Sequence, residues 1–264
     1  MKVAAALPLL LAGCFVLSSC SQSKGETKQA GTSLAILQDL IKEDVVVGKP
    51  TIFNPKQKPV ETGDTVWVEY TGTLKDGTVF DTNDKKLKQG ARPFSFTMGM
   101  HAVIEGWDKG LLGMLPGGVR KLSIPARMAY ADKGQGKIPP NADIYFTVKM
   151  LDYIKAGEEQ VYGLHDDKIG TGAVVKAGSV VTFTYEVQEV DGHVLDDKYS
   201  TKPVTITLGH KDTIASIESG LMGMKVGGVR QLWIPPMIGF MPSANTNVNP
   251  NTLFIVKMKL VGVK

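Results

Sequence analysis

The sequence predicts an α+β chain made of two tandem copies of one small domain, each an antiparallel sheet with a single short helix against it. Three observations carry this. Strand-like alternation dominates from about Leu34 onward, and only one segment in each half has helical spacing. The second half also rewrites the first in order: "VIEGWDKGLLGMLPGGVRKLSIP" (Val103 to Pro125) returns as "TIASIESGLMGMKVGGVRQLWIP" (Thr213 to Pro235). Ile104/Ile214, Gly110/Gly220, Leu111/Leu221, Met114/Met224 and "GGVR" are shared, while Trp107 becomes Ile217.

The chain divides into residues 1–19, 20–33, 34–155 and 156–264. "MKVAAALPLLLAGCFVLSSC" has one lysine, an apolar run broken only by Pro8 and glycine, then small residues. This pattern is that of a secretory signal, too short for a comfortable transmembrane helix. Its ending resembles the bacterial lipobox, which implies cleavage before a cysteine and acylation of that cysteine. "LAGC" at Cys14 fits the letters but leaves apolar "FVLSSC" behind it; "LSSC" at Cys20 is followed by polar "SQSKGETKQAG" and is preferred. An ordinary cleaved signal with a free cysteine is the plain alternative. The resulting expectation is a lipid-anchored protein of the bacterial cell envelope, periplasmic or on the outer membrane, with Ser21 to Gly31 as tether.

In the first copy "TVWVEYTGTL" puts Val66, Val68 and Tyr70 on one face, and Asp76 and Gly77 supply a hairpin turn. "PFSFTM" sets Phe94 and Phe96 on one side. Ile104, Trp107, Leu111 and Met114 have the spacing of a short helix, and "VRKLSIP" and "ADIYFTVKML" are strands, the latter pointing Ile144, Phe146, Val148 and Met150 one way. A polar break, "KAGEEQ", precedes the second pass, where "SVVTFTYEVQEVDGHVLDD", "PVTITLG" and "LFIVKM" follow the same order. Each copy is long enough to close its own core, unlike solenoid repeats.

Composition narrows the function. The 264 residues are 43% hydrophobic with a formal charge of +4, and the lysines are scattered, which argues against a nucleic-acid partner. The four histidines lie near neither cysteines nor clustered carboxylates, so no metal is expected, and no cofactor motif is present. Aromatic density is the informative feature. Tyr70, Phe80, Phe94, Phe96, Trp107, Tyr130 and Phe146 all occupy inward phases, with Asp81 beside Phe80. Singly each reads as core packing. Together they exceed what a small sheet over a short helix buries, so some should line a concave apolar pocket. Asp81 is equally suited to capping the turn or pairing with a surface cation.

"GDTVWVEYTGTLKDGTVFDT", "PFSFTMG", "VIEGWDKGLLGMLPGGVRKLSIP", "AY" and "IPPNADIYFTVKML", spanning nearly all of residues 60–152, resemble the FKBP-type peptidyl-prolyl cis/trans isomerases. The resemblance implies two tandem FKBP-like domains, each a half-barrel of five or six strands around one short helix. It implies Asp81, Trp107 and Tyr130 as catalytic residues, with the substrate prolyl ring over the Trp107 indole. It implies pocket walls from Tyr70, Phe80, Phe94, Phe96, Val103, Ile104, Ile138 and Phe146, Xaa-Pro segments of unfolded or exported proteins as substrates, and macrolide inhibitors in the same pocket. A non-enzymatic peptide-binding module on the same scaffold is the alternative. The loop "YADKGQGKI" departs from the family: it is one residue shorter and has Ala131 where a glycine usually follows the tyrosine. With no long N-terminal helix ahead of the first copy, a monomer is expected.

The second copy keeps Tyr185, Asp196, Ile214 and Phe254 but has Leu195 for Phe80, Val204 for Phe94, Ile206 for Phe96, Thr213 for Val103 and Phe240 for Tyr130. With Ile217 for Trp107, every loss removes aromatic area or a hydroxyl. The expectation is a degenerate pocket on an intact scaffold.

Overall fold

A computed structural model describes residues 38–158, 163–197, 199–236 and 252–264. Cys14, Cys20, Phe240 and the segment 241–251 lie outside them. The first copy runs β1 (Ile41–Val46), β2 (Thr65–Thr73), β3 (Val79–Thr82), β4 (Phe94–Thr97), α1 (Glu105–Gly110), β5 (Val119–Ile124) and β6 (Ile144–Ile154). The second runs β7 (Gly163–Lys168), β8 (Val180–Glu189), β9 (Val194–Asp196), β10 (Val204–Thr207), α2 (Ala215–Leu221), β11 (Val229–Ile234) and β12 (Phe254–Val263). Alternation makes the strands: Val66 and Val68 on β2 and Ile144, Val148 and Met150 on β6 are fully enclosed. The turn between β2 and β3 forms because Asp76 accepts the Thr78 N–H through Oδ1 and Gly77 takes the left-handed backbone.

Both sheets have six strands and one plan. The first is ordered β1-β5-β6-β2-β3 with β4 also on β2; the second is ordered β7-β11-β12-β8-β10 with β9 also on β8. All pairings are antiparallel. Each helix lies on its own sheet, closing one core around Leu111, Leu122 and Ile124 and another around Leu221, Leu232 and Ile234. The helix approaches so closely that a Cβ on Gly110 would stand 2.8 Å from the Leu122 side chain, and one on Gly220 2.5 Å from that of Leu232. That contact explains why both copies have glycine there.

The "GGVR" arginine completes the frame. Arg120 donates from Nε and Nη2 to Asp44 on β1, at 2.6 and 3.0 Å, and from Nη1 to the Gly110 and Leu112 carbonyls at the end of α1, both at 2.8 Å. Arg230 repeats this with Asp166 on β7 (2.6 and 2.9 Å) and with the Gly220 and Met222 carbonyls. One guanidinium in each copy thus joins an edge strand, a central strand and the last turn of the helix. Hydrogen bonding from the arginine holds the carboxyls of Asp44 and Asp166 below the usual carboxylate range.

The two sheets also share a third core. Trp67, on the opposite face of β2 from Val66 and Val68, is 2% exposed and packs with Ile154, Leu151, Val190, Trp233 and Leu253. At its edge the Trp233 indole N–H donates to Oδ2 of buried Asp152 at 2.7 Å, while the Tyr153 N–H (2.8 Å) and the Gln57 amide (3.5 Å) reach Oδ1. Burial pushes the Asp152 pKa up to about 6 against these three donors.

Replacing Arg120 with Met should lower the free energy of unfolding by about 2–4 kcal/mol, because the helix carbonyls and Asp44 lose a charged partner. Urea unfolding checks this, and a change within about 0.5 kcal/mol would refute the clamp. The Asp152 carboxyl has a folded pKa above its unfolded value, so its charge opposes folding at pH 7 and the opposition fades as pH falls through about 6. Between pH 7 and pH 5 the wild-type chain should gain about 1 kcal/mol relative to Asp152→Asn, measured as the difference in their urea unfolding free energies.

Candidate functional site

The concave side of the first sheet holds a cavity of about 480 Å³. Trp107 forms its floor, carried by α1 and 4% exposed. Three rings stand edge-on to the indole: Tyr70 at 5.0 Å and 83°, Phe146 at 5.1 Å and 81°, and Phe94 at 6.2 Å and 69°. Phe80 stands perpendicular to Phe146 at 5.4 Å. Steep contacts of this kind pair a positive ring edge with a negative ring face and so favour the angles at which the walls meet. Gly72 makes room for them, since a Cβ there would lie 2.6 Å from both the Phe80 and Phe146 rings.

Polar groups gather on one side. Asp81, on β3, accepts the Tyr70 hydroxyl through Oδ2 at 2.6 Å. The pairing favours the protonated phenol, and burial, the larger cause, pushes the Tyr70 hydroxyl well above the usual tyrosine range. Tyr130 follows a single 3-10 turn (Ala126–Met128). Burial first and then the Asp81 charge raise its pKa as well. Both hydroxyls therefore stay protonated at neutral pH, with the Tyr70 proton already engaged on Asp81.

The residues read from sequence converge here with one exception. Tyr70, Phe80, Asp81, Phe94, Val103, Ile104, Trp107, Tyr130, Ile138 and Phe146 all line the cavity. Phe96 does not: it is 7% exposed, stacks on Phe94 at 5.7 Å and leans on Trp107 at 5.7 Å, so it backs the wall instead of facing the ligand space. Its period on β4 is right, but the Phe94 ring covers it.

Ala102, Gln135, Gly136 and Lys137 also line the cavity and were not singled out by sequence. They belong to irregular segments, where no period indicates which way a side chain faces. The loop that carries three of them is closed by paired backbone bonds between Gln135 and Ile138, at 2.9 and 2.8 Å. Ala131 sits in this loop with φ of 47°, the left-handed conformation suited to glycine, so the departure from the family pattern leaves a strained alanine at the rim. Asn83 is the other unforeseen residue. Its Oδ1 accepts the Tyr70 N–H at 2.6 Å, and its Nδ2 donates to the carbonyls of Val68 and Arg92, both at 3.0 Å. A strand-ending "DTND" is the signal that could have found it, since asparagine there readily satisfies backbone groups.

In the second copy Ile217 and Ile206 are buried in the core, and Leu195, Val204, Ile214 and Tyr185 pack against it. Tyr185 stacks on Tyr199 at 5.1 Å and 26°, a parallel arrangement unlike the edge-on rings around Trp107. Asp196 lies on β9.

The family model described as FKBP-type peptidyl-prolyl cis-trans isomerase matches twice, over residues 56–151 and 172–261. Human "Peptidyl-prolyl cis-trans isomerase FKBP10" is 31% identical over 227 residues, covering 84% of this chain but 38% of its own length. "FK506-binding protein 4" of Gibberella zeae is 38% identical over 129 residues, 49% of this chain and 24% of that protein. The crystal structure of FkpA from Escherichia coli is 37% identical, with a TM-score of 0.37, over 44% of this chain and 49% of that chain. The chain thus spans less than half of each of these relatives.

Proposed function

This chain belongs to the FKBP-type peptidyl-prolyl cis-trans isomerase family, and from that premise we propose that the cavity of its first copy rotates Xaa-Pro peptide bonds in unfolded or exported proteins. One observation carries the reading: an indole floor ringed by edge-on aromatics lies beneath the Tyr130 and Tyr70–Asp81 hydroxyls in the first copy, whereas the corresponding position of the second is Ile217, folded into its core.

The chemistry needs no nucleophile. Rotation about a peptide bond meets a barrier of ~18–20 kcal/mol from amide resonance, and a prolyl bond unaided takes ~10–100 s at room temperature. The planar amide is more polar than the twisted one. A cavity walled by Phe80, Phe94, Phe146 and Trp107 takes water from the substrate carbonyl and so disfavours the planar form. The prolyl ring supplies apolar area to offset binding costs, and the Tyr130 hydroxyl remains a donor for the substrate backbone. Lowering the barrier by about 5 kcal/mol is worth roughly 4,000-fold in rate. Macrolide inhibitors compete for the same walls, and the second copy contributes structure and not turnover.

The envelope location belongs to the same proposal. The apolar run ending at "LSSC" and the polar stretch after it support acylation of Cys20, with the folded copies held off the membrane.

In the full chain Trp107→Ile, which installs the second copy's residue, should reduce kcat/KM on a Xaa-Pro peptide at least about tenfold while the melting temperature falls by no more than a few degrees. A wild-type chain that gives no acceleration would leave a peptide-binding module on an isomerase scaffold. Cys20→Ser should move the protein from the membrane fraction to the soluble fraction of the expressing bacterium; persistence of the variant in the membrane fraction, or a wild-type chain without acyl mass on Cys20, would overturn the anchor.

A further inference from the structure

The wall of the cavity is held from behind by the second copy. Phe94, one of the rings around Trp107, opens β4 directly after the segment 83–93. Asn83 ties that segment to β2: it accepts the Tyr70 N–H and donates to the Val68 and Arg92 carbonyls. Cations of the same segment reach into the second copy. Arg92 Nε lies 3.4 Å from Glu189 Oε2, and Lys85 Nζ lies 2.7 Å from Asp191 Oδ2. Both carboxylates are almost fully enclosed, their side chains 3% and 4% exposed, while Arg92 and Lys85 are 35% and 36% exposed, so each pair is buried on the second copy's side. Glu189 ends β8, and its neighbour Val190 packs with Leu253 on Trp67, three residues before Tyr70 on β2. Both strand and segment that frame the Tyr70–Phe94 wall are therefore fastened to the second copy, one by apolar packing and the other by ion pairs.

We propose that the second copy is a positioning element for the first: Glu189 and Asp191 hold Arg92 and Lys85, and Arg92, with Asn83, fixes Phe94 and Tyr70 in the arrangement that receives the prolyl segment. The inference rests on the isomerase reading for its functional consequence. A wall fixed in advance lowers the ordering cost of binding, so its loss weakens substrate capture more than the rotation step. Arg92 is a positioning residue; it acts through Phe94 and Asn83.

The test uses the full chain carrying Glu189→Gln and Asp191→Asn, which keeps shape and removes both charges. Arg92→Gln is a second variant that leaves the second copy untouched, Arg92→Lys is the conservative rescue, and Asp167→Asn, which breaks a surface pair with Lys257, is the control. Peptide isomerisation should show KM raised about 3- to 10-fold with kcat within about twofold, and amide exchange at Tyr70 should quicken at least about tenfold. Arg92→Lys should restore most of both, and the control should change neither. Unchanged KM, or unchanged exchange at Tyr70, in both charge-removing variants overturns the proposal. A wild-type chain without turnover defeats the isomerase reading instead, and exchange at Tyr70 then decides the positioning by itself.

Discussion

The structure depends first on a guanidinium at the end of a short helix. Six residues of α1 and seven of α2 are too few for either helix to persist by itself, and neither has a side chain capping its start. Arg120 and Arg230 take up the carbonyls left open at the helix ends and pair in fork geometry with Asp44 and Asp166 on the edge strands. With Gly110 or Gly220 pressed onto a leucine of the sheet, this fixes how far and at what angle the helix meets the strands. The orientation of Trp107 follows from that placement. In the second copy the same clamp presents Ile217 at the matching position.

On this shared frame the two copies diverge in what they do with inward volume. The first fills it with rings that meet at steep angles around Trp107 and line a cavity. The second substitutes leucine, valine and isoleucine, which fit the inside of the sheet. Among the described residues, the positions of Phe80, Phe94, Phe96 and Trp107 in the first copy carry the aliphatic core residues Leu195, Val204, Ile206 and Ile217 in the second. The scaffold tolerates these replacements because the arginine clamp and the glycine contact do not involve the ring positions.

The third core joins the second copy to the back of the first. Trp67, Leu253 and Trp233 bury apolar area between the sheets, and Asp152, Glu189 and Asp191 are polar groups held in that seam by specific donors or cations. Buried carboxylates add little net stability, and on the positioning proposal their part is to fix the register between the two copies. That register lies directly behind Tyr70 and Phe94.

Much of this was legible in the chain. Period-two alternation gave the strands, the duplicated "GGVR" segment gave the tandem plan, and the inward aromatics gave the pocket, because side-chain direction along a strand follows from the backbone itself. Tertiary structure decided where direction has no period or where partners are far apart in sequence. Asn83, Gln135 and Lys137 sit in irregular segments; Phe96 has the right phase but is covered by its neighbour; Ala131 fills a left-handed position despite its Cβ. Trp67 reads as an outward residue of β2 and becomes buried only because the second sheet lies against it. The sequence by itself therefore determined two copies of one frame and which copy retained its rings, since both are local patterns. Only the fold decided which rings face the cavity and what holds them, since those depend on contacts between segments that no local period records.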